Sequence, residues 1–343
     1  VDYLTLSTHK SADNLQYLAS YGLTWTAGNN LANGTFTLTN TTDTFTVGVA
    51  LSDQAANPAT GWSGTNLVKA GAGTLILTAR NTYTGGTSVN DGTLQIGDAG
   101  NTVAIVGRID TYPNGVLEVV NADLSGVTDI LNVGKTNFRN ASSAANAAIT
   151  NSNSLSFYDT STAGSATITN SGNVSFFDAS SAGFASITNS SNGNLSFNNA
   201  STAGASTIVN SGVLSFGSTS TAEQATITNN LSLYFNDTST AGSAAITNTG
   251  DVSFRDASTA GNATITNDGN LYFRNTSTAG PATITNNNLM AFVGSSAANG
   301  ATITNTGRLR FADYSVASGA TITNTYGVYF SDSSSAGNAR IIN

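Results

Sequence analysis

The chain has no cysteine, one histidine and only three prolines in 343 residues. The absence of cysteine excludes a disulfide framework and a thiolate metal site. The single histidine, His9, leaves no Ser-His-Asp triad and no histidine-rich metal site. We therefore expect no metal, no cofactor and no enzyme activity.

Charge is also scarce, since Asp, Glu, Lys and Arg make up 9% of the residues and the net charge is -8. This acidic balance argues against nucleic acid and anionic membranes as partners. No stretch approaches the roughly 20 apolar residues of a membrane helix, and no charged leader followed by an apolar run opens the chain. What is abundant is glycine, at 35 residues, together with Thr, Ser and Asn, which is typical of strands joined by tight turns.

The larger part of the chain repeats with a period of 19 residues. Between Ile149 and Ile341 an isoleucine followed two residues later by an asparagine occurs eleven times, and nine of the ten intervals between these isoleucines are 19 residues. The isoleucines are Ile149, Ile168, Ile187, Ile208, Ile227, Ile246, Ile265, Ile284, Ile303, Ile322 and Ile341. A phenylalanine column keeps the same period from Phe138 to Phe330.

This period predicts the fold. A repeat near 20 residues with short alternating apolar segments and no helical spacing indicates one coil per repeat, with the coils stacked in parallel. Residues two apart on a strand share a face, so Ile168 and Asn170 are predicted to point inward while Thr167 and Thr169 face solvent. The stacked asparagines are predicted to hydrogen-bond to one another along the axis.

The regularity of the repeat divides the chain into three predicted segments. Residues 138–343 form regular 19-residue coils, and residues 21–137 form looser coils in which the pattern Gly-Thr-apolar-x-apolar recurs. Residues 1–20 lack the alternation. We expect them to form a cap or leading arm that covers the first exposed strand edge.

A long and specific pattern lies within residues 61–94: GWSG at 61–64, LVKAGAGTLIL at 67–77, NTYTGGT at 81–87 and GTL at 92–94. It resembles the passenger-associated transport repeat of type V autotransporters. The resemblance is close over about residues 20–120. The 19-residue repeats that follow are similar to the stalks of such passengers in Bartonella, Brucella and related rhizobial bacteria.

The resemblance implies an all-β, right-handed parallel β-helix that is secreted or displayed on the bacterial surface. It also implies export through the protein's own C-terminal outer-membrane β-barrel, and a lack of cysteine suits passage across the envelope unfolded. The chain ends at Asn343 inside a coil, so we expect a passenger fragment. Lys69, Tyr83 and the glycines of the transport repeat are expected to be scaffold.

Parallel β-helices that cleave polysaccharides use clustered Asp with Arg or Lys. The nearest counterpart here is a column of acids, each two residues after its Phe: Asp159, Asp178, Asp237, Asp256, Asp313 and Asp332. We interpret this column as a turn position, because Asn, Ser and Gly replace Asp in the other coils. A polysaccharide-binding or polysaccharide-cleaving β-helix protein stays the alternative.

Large outward side chains suggest a binding surface. Basic residues are scarce, yet several fall on one predicted face beside tyrosine, and Tyr and Arg are the residues that interfaces favour. The candidate site residues are Arg255, Tyr272, Arg274, Arg308 and Arg310. Within the resembling group some passengers are adhesins and at least one Bartonella passenger is a soluble angiogenic mitogen. We therefore predict a virulence factor that binds a host cell-surface receptor, extracellular matrix or glycosaminoglycan.

Overall fold

The computed structural model describes residues 4–10, 17–26, 28, 30–100 and 103–343. These residues form strands, turns and bends but no helix, and so contain no helix long and apolar enough to cross a membrane. The first strands are β1 (Leu4–Lys10), β2 (Tyr17–Leu23), β3 (Thr35–Thr37), β4 (Thr44–Val47), β5 (Leu67–Ala70), β6 (Thr74–Leu77), β7 (Thr87–Ile96), β8 (Val103–Val120), β9 (Ala122–Asn132), β10 (Lys135–Arg139), β11 (Ala148–Asn151) and β12 (Ser154–Phe157).

The later strands alternate between two sequence types. The Ile strands are β13 (Thr167–Asn170), β15 (Ser186–Asn189), β17 (Thr207–Asn210), β19 (Thr226–Asn229), β21 (Ala245–Asn248), β23 (Thr264–Asn267), β25 (Thr283–Asn286), β27 (Thr302–Asn305), β29 (Thr321–Asn324) and β31 (Arg340–Ile342). The Phe strands are β14 (Asn173–Phe176), β16 (Asn194–Phe197), β18 (Val213–Phe216), β20 (Ser232–Phe235), β22 (Asp251–Phe254), β24 (Asn270–Phe273), β26 (Leu289–Phe292), β28 (Arg308–Phe311) and β30 (Gly327–Phe330).

The fold is an all-β parallel β-solenoid of about 14 turns with coils about 19 residues apart, which confirms the predicted class. The right-handed sense implied by the resemblance stays a prediction. The chain divides into two compact units, Val1–Leu155 and Ser156–Asn343. The segment boundaries predicted from the repeat, after residues 20 and 137, also stay predictions.

In the first unit, β1 and β2 pair antiparallel, with Leu4 opposite Leu23, whereas β3 to β9 pair in parallel. Of the cap predicted over residues 1–20, residues 1–3 and 11–16 lie outside the described part of the chain. Glycines within residues 61–94 permit close approach of successive turns. A Cβ at Gly92, whose φ is 64°, would collide with the carbonyl oxygens of Gly71 and Gly73.

In the second unit, each Ile strand pairs with the Ile strand of the next coil, and each Phe strand does the same. Ile265 lies opposite Ile284, and Phe254 lies opposite Phe273. A third line of single parallel bridges joins the short segment between them, as from Thr259 to Thr278. Each coil is therefore held to its neighbours at three places.

Stacking in register produces a core of identical residues. Consecutive phenylalanine rings from Phe157 to Phe330 are nearly parallel, with centroids 4.6 to 5.0 Å apart. The predicted asparagine ladder is also confirmed. Nδ2 of Asn229 donates to Oδ1 of Asn248 at 2.8 Å, and the same bond recurs from coil to coil within the unit.

The register survives a change in coil length. Between Ile187 and Ile208 the interval is 21 residues, yet the two remain paired and Nδ2 of Asn189 still donates to Asn210 at 2.7 Å. The added residues, Asn192 and Gly193, lie in the turn between an Ile strand and a Phe strand. A turn therefore absorbs the insertion while both strands keep their positions.

Candidate binding surface

The predicted site residues lie on the outward side of the Phe strands in the second unit. Tyr272 is on β24, and Arg308 and Arg310 are on β28. Arg255 and Arg274 directly follow β22 and β24, and their backbone N–H groups donate to the carbonyls of the preceding coil's phenylalanine. They therefore occupy the same position in adjacent coils, as the repeat predicted.

Three guanidinium groups lie over tyrosine rings. Cζ of Arg255 is 4.3 Å from the ring centroid of Tyr234, and Cζ of Arg274 is 4.5 Å from that of Tyr272. A third guanidinium, that of Arg308, lies 5.4 Å from the Tyr329 ring. Cation–π contacts of this kind contribute about 0.5 to 1 kcal/mol at exposed sites and fix the direction of the arginine.

Tyr234 and Tyr329 supply rings to two of these contacts but are not among the site residues predicted from the sequence. Each is 21 residues from its arginine, which is one coil plus two residues. That offset is the diagonal neighbour on the same face of two paired strands. The 21-residue spacing in the sequence therefore indicated that each tyrosine lies beside its arginine. We call Tyr234, Arg255, Tyr272, Arg274, Arg308, Arg310 and Tyr329 together the Tyr–Arg face.

The arginines of the Tyr–Arg face have no carboxylate within ion-pair distance in the part of the chain that the structure describes. The ion pairs found there join Arg108 to Asp110 and Asp129, and Arg139 to Glu118. Arg274, Arg308 and Arg310 are exposed, and Arg255 is partly exposed. A protein of net charge -8 thus presents four arginines that form no ion pair with its acids in the described part of the chain.

The aspartates that follow the Phe strands occupy a turn position in successive coils, as interpreted from the sequence. They adopt left-handed backbone conformations, with φ of 57° at Asp159 and 58° at Asp332. Their side chains also bind the neighbouring coil, since Oδ2 of Asp256 accepts the N–H of Asp237 at 3.3 Å and Oδ2 of Asp332 accepts that of Asp313 at 3.4 Å. We call these bonds the turn ladder.

The side chain of Lys69, on β5, is buried. Its Nζ donates to the carbonyls of Ala70, Gly71 and Asp91 at 3.0, 2.6 and 2.9 Å. Burial lowers the pKa of Lys69 from 10.5 to about 8, with the Asp91 carboxylate opposing the shift. An ammonium group so enclosed joins two coils and offers no surface to a ligand.

Aromatic side chains pack beside this repeat. The rings of Trp25 and Trp62 are 5.1 Å apart, and those of Trp25 and Tyr83 are 5.2 Å apart. Burial raises the pKa of Tyr83, whose hydroxyl is within 2.6 Å of the Thr87 hydroxyl. These buried positions fit the expectation that Tyr83 and Lys69 are scaffold.

The family model described as Passenger-associated-transport-repeat matches residues 67–96. The match supports an autotransporter passenger domain and does not distinguish the Bartonella type from other passengers. No curated protein matches the chain. Within the described residues, no group of three or more His, Cys, Asp or Glu side chains is placed to hold a metal ion.

Proposed function

We propose that this passenger, secreted or displayed at the bacterial surface, binds an anionic host molecule, such as a cell-surface receptor or matrix glycosaminoglycan, through its Tyr–Arg face. The observation that carries the proposal is the set of four arginines without carboxylate partners in the described structure of an acidic chain. Aromatic rings hold three of them in place. Preorganised cations lose less conformational entropy when they bind.

A binding role agrees better with the acidic column than a cleaving role does. Polysaccharide cleavage would require carboxylates free to act as acid or base. Here Asp237, Asp256, Asp313 and Asp332 share backbone hydrogen bonds of the turn ladder, which orient their carboxylates toward the adjacent coil. The ladder gives these acids a structural role in the turns.

Charge reversal tests the proposal. We expect the double variant Arg255→Glu/Arg274→Glu to bind human endothelial cells at least about tenfold more weakly, since losing about 1.4 kcal/mol lowers affinity tenfold. Added salt should weaken binding of the unmodified chain in the same direction, because salt screens exposed charges. The measurement is the equilibrium binding of labelled chain to cells, with and without heparinase treatment.

The matched control is Lys135→Glu/Arg340→Glu, which changes the net charge equally. Both residues are exposed and neither belongs to the Tyr–Arg face. We expect the control to keep nearly all binding, and both variants to melt close to the unmodified chain, since exposed substitutions usually stay within about ±0.5 kcal/mol. Equal binding by the two variants would contradict the proposal.

A further inference from the structure

The turn ladder is interrupted at one glycine beside the Tyr–Arg face. In most coils the side-chain oxygen of a turn residue accepts the N–H of its counterpart in the preceding coil, as Oδ1 of Asn275 does from Asp256 at 3.4 Å. The next turn residue is Gly294, with φ of 75° and no side chain. The N–H of Asn275 therefore has no acceptor within the described structure.

The missing side chain leaves a cleft. Two adjoining depressions, of about 280 and 370 Å³, share Gly294 and Asp313. They are lined by Arg274, Asn275, Val293, Gly294, Asp313, Tyr314, Asp332 and Ser333. We call this space the Gly294 cleft. Its size is near the lower end of the range for small-molecule sites, which suits one ring of a larger ligand.

Hydrogen-bond donors occupy one side of the Gly294 cleft. The guanidinium of Arg274 is held over Tyr272, and the unpaired N–H belongs to the adjacent residue, Asn275. A cation beside a backbone N–H is an arrangement that favours a carboxylate, because charge-assisted hydrogen bonds are the stronger kind. This side of the cleft is continuous with the Tyr–Arg face through Arg274.

Acceptors and an aromatic ring occupy the other side. Oδ2 of Asp313 accepts the N–H of Gly294 at 2.9 Å, which directs this carboxylate to the rim of the cleft. Tyr314 is 71% exposed, and its backbone N–H donates to the Gly294 carbonyl at 3.0 Å. Carboxylates accept hydrogen bonds from hydroxyls, while an exposed ring offers an apolar surface to the C–H face of a sugar.

We propose that the Gly294 cleft binds one uronic acid residue of a glycan chain. Arg274 and the N–H of Asn275 receive the sugar carboxylate, Asp313 and Asp332 accept its hydroxyls, and Tyr314 packs against the ring. The site deepens the proposed function and rests on it, since Arg274 belongs to both surfaces.

A second interruption of the ladder provides an internal comparison. Ser218 stands at the same turn position with φ of 55°, and the counterparts of Arg274 and Tyr314 in its adjacent coils are Asn198 and Thr238, which supply neither a cation nor an aromatic ring. A gap in the ladder alone therefore does not reproduce the donors and ring of the Gly294 cleft. Repairing each gap separately distinguishes binding from turn stability.

The test uses isothermal titration calorimetry with an unsulfated oligosaccharide of alternating glucuronate and N-acetylglucosamine. We expect Gly294→Asp to weaken binding at least about tenfold, because the new side chain fills the cleft and accepts the Asn275 N–H. Asp already occupies this left-handed position in other coils, so the fold is expected to persist. Ser218→Asp makes the same repair away from the cleft and should leave binding unchanged.

Two further arms identify the chemistry. Tyr314→Ser should also weaken binding, whereas Tyr326→Ser, which removes a tyrosine that is 70% exposed and outside the cleft, should not. Reducing the sugar carboxyls to alcohols should abolish binding to the unmodified chain. Equal binding by Gly294→Asp and Ser218→Asp, or by the reduced oligosaccharide, would overturn the proposal.

The outcome separates this proposal from the proposed function. If the chain binds cells through Arg255 and Arg274 but does not bind the uronate oligosaccharide, the Gly294 cleft is not a sugar site and the Tyr–Arg face still stands. If charge reversal has no effect on cells while Gly294→Asp abolishes oligosaccharide binding, the cleft stands and the wider face fails.

Discussion

Asn229 is buried, and its amide connects three coils. Its Oδ1 accepts from Nδ2 of Asn210 at 2.8 Å, while its own Nδ2 donates to Oδ1 of Asn248 at 2.8 Å and to the carbonyl of Asp251 at 3.0 Å. The nearly isosteric leucine would place a hydrocarbon between these polar atoms. Asn229 is therefore needed for its hydrogen bonds more than for the volume of its side chain.

We predict that Asn229→Leu destabilises the protein by about 1 to 3 kcal/mol for each partner left unpaired, since a buried polar group without a hydrogen bond loses its solvation. Urea unfolding monitored by circular dichroism measures the change. Asn230→Leu is the control, because the adjacent Asn230 is exposed and should shift stability by no more than about 0.5 kcal/mol. Similar losses in both variants would argue against the ladder.

Lys69 predicts a pH dependence of stability. Its folded pKa of about 8 lies below its ordinary 10.5, so the unfolded chain binds more protons between these values. The free energy of unfolding therefore rises with pH in this window, by up to about 2 kcal/mol between pH 7 and 9.5 for this group. Below pH 8 both states are protonated and the full cost of burying the charge is present.

Urea unfolding at pH 7 and 9.5 checks this sign. Lys69→Met removes the titrating group and should remove that rise, whatever its effect on absolute stability. The series stops below pH 10, where unfolded tyrosine begins to ionise and the raised pKa of Tyr83 makes stability fall. A rise of the same size in Lys69→Met would assign the dependence to other groups.

Among the elements, β20 carries one ring of the phenylalanine stack. Phe235 is fully buried, with neighbouring ring centroids at 4.8 Å toward Phe216 and 4.6 Å toward Phe254. We expect Phe235→Ala to cost about 3 to 5 kcal/mol, since parallel hydrogen bonding holds the adjacent strands apart and prevents collapse into the cavity. Thermal and urea unfolding measure the loss.

Phe184→Ala makes the same chemical change where the ring is 74% exposed. It should alter stability by about 0.5 kcal/mol or less. A comparable loss in the two variants would mean that ring burial does not determine the cost.

The strands could be predicted because their periodicity and their burial have the same origin. Ile265 and Phe254 recur every coil, and a column of identical apolar residues is satisfied only if each faces the core in register. The left-handed turn at Asp256 was also predictable in kind, since Asp, Asn, Ser and Gly share tolerance of tight turns.

Other features depend on side-chain geometry that a repeat does not specify. The placement of Arg255 over Tyr234 depends on rotamers across two strands, although their 21-residue offset indicated proximity. The turn ladder and its gap at Gly294 emerge only when the direction of each carboxylate is known. In the first unit the antiparallel pairing of β1 and β2 also went unpredicted, because neither strand follows the coil period.

At the scale of the whole molecule, stability is local in origin. Each coil of the second unit pairs through its strands only with its immediate neighbours, so a solenoid behaves approximately as a sum of coil and interface terms. The destabilisation caused by a defect in one coil should therefore be largest in the adjacent coils and decrease with distance along the stack. A globular core would distribute it more evenly.

We predict that Phe235→Ala lowers amide protection most in β18, β20 and β22, and least in β28, when hydrogen exchange is followed by mass spectrometry. Phe184→Ala provides the comparison for an unperturbed core. An equal loss of protection in every coil would show that the unit opens only as a single cooperative body.

The strand pairing kept across the 21-residue coil has a consequence for how the gene can evolve. Because the Ile and Phe strands of successive coils in the second unit pair in the same register, a recombination event that duplicates or deletes a whole coil there joins compatible strands. The turn at Asn192 and Gly193 adds a second freedom, since extra residues there leave both neighbouring strands in place. Duplications, deletions and short insertions in such a gene can therefore change the number of coils and the length of the turns while the strand pairing is preserved.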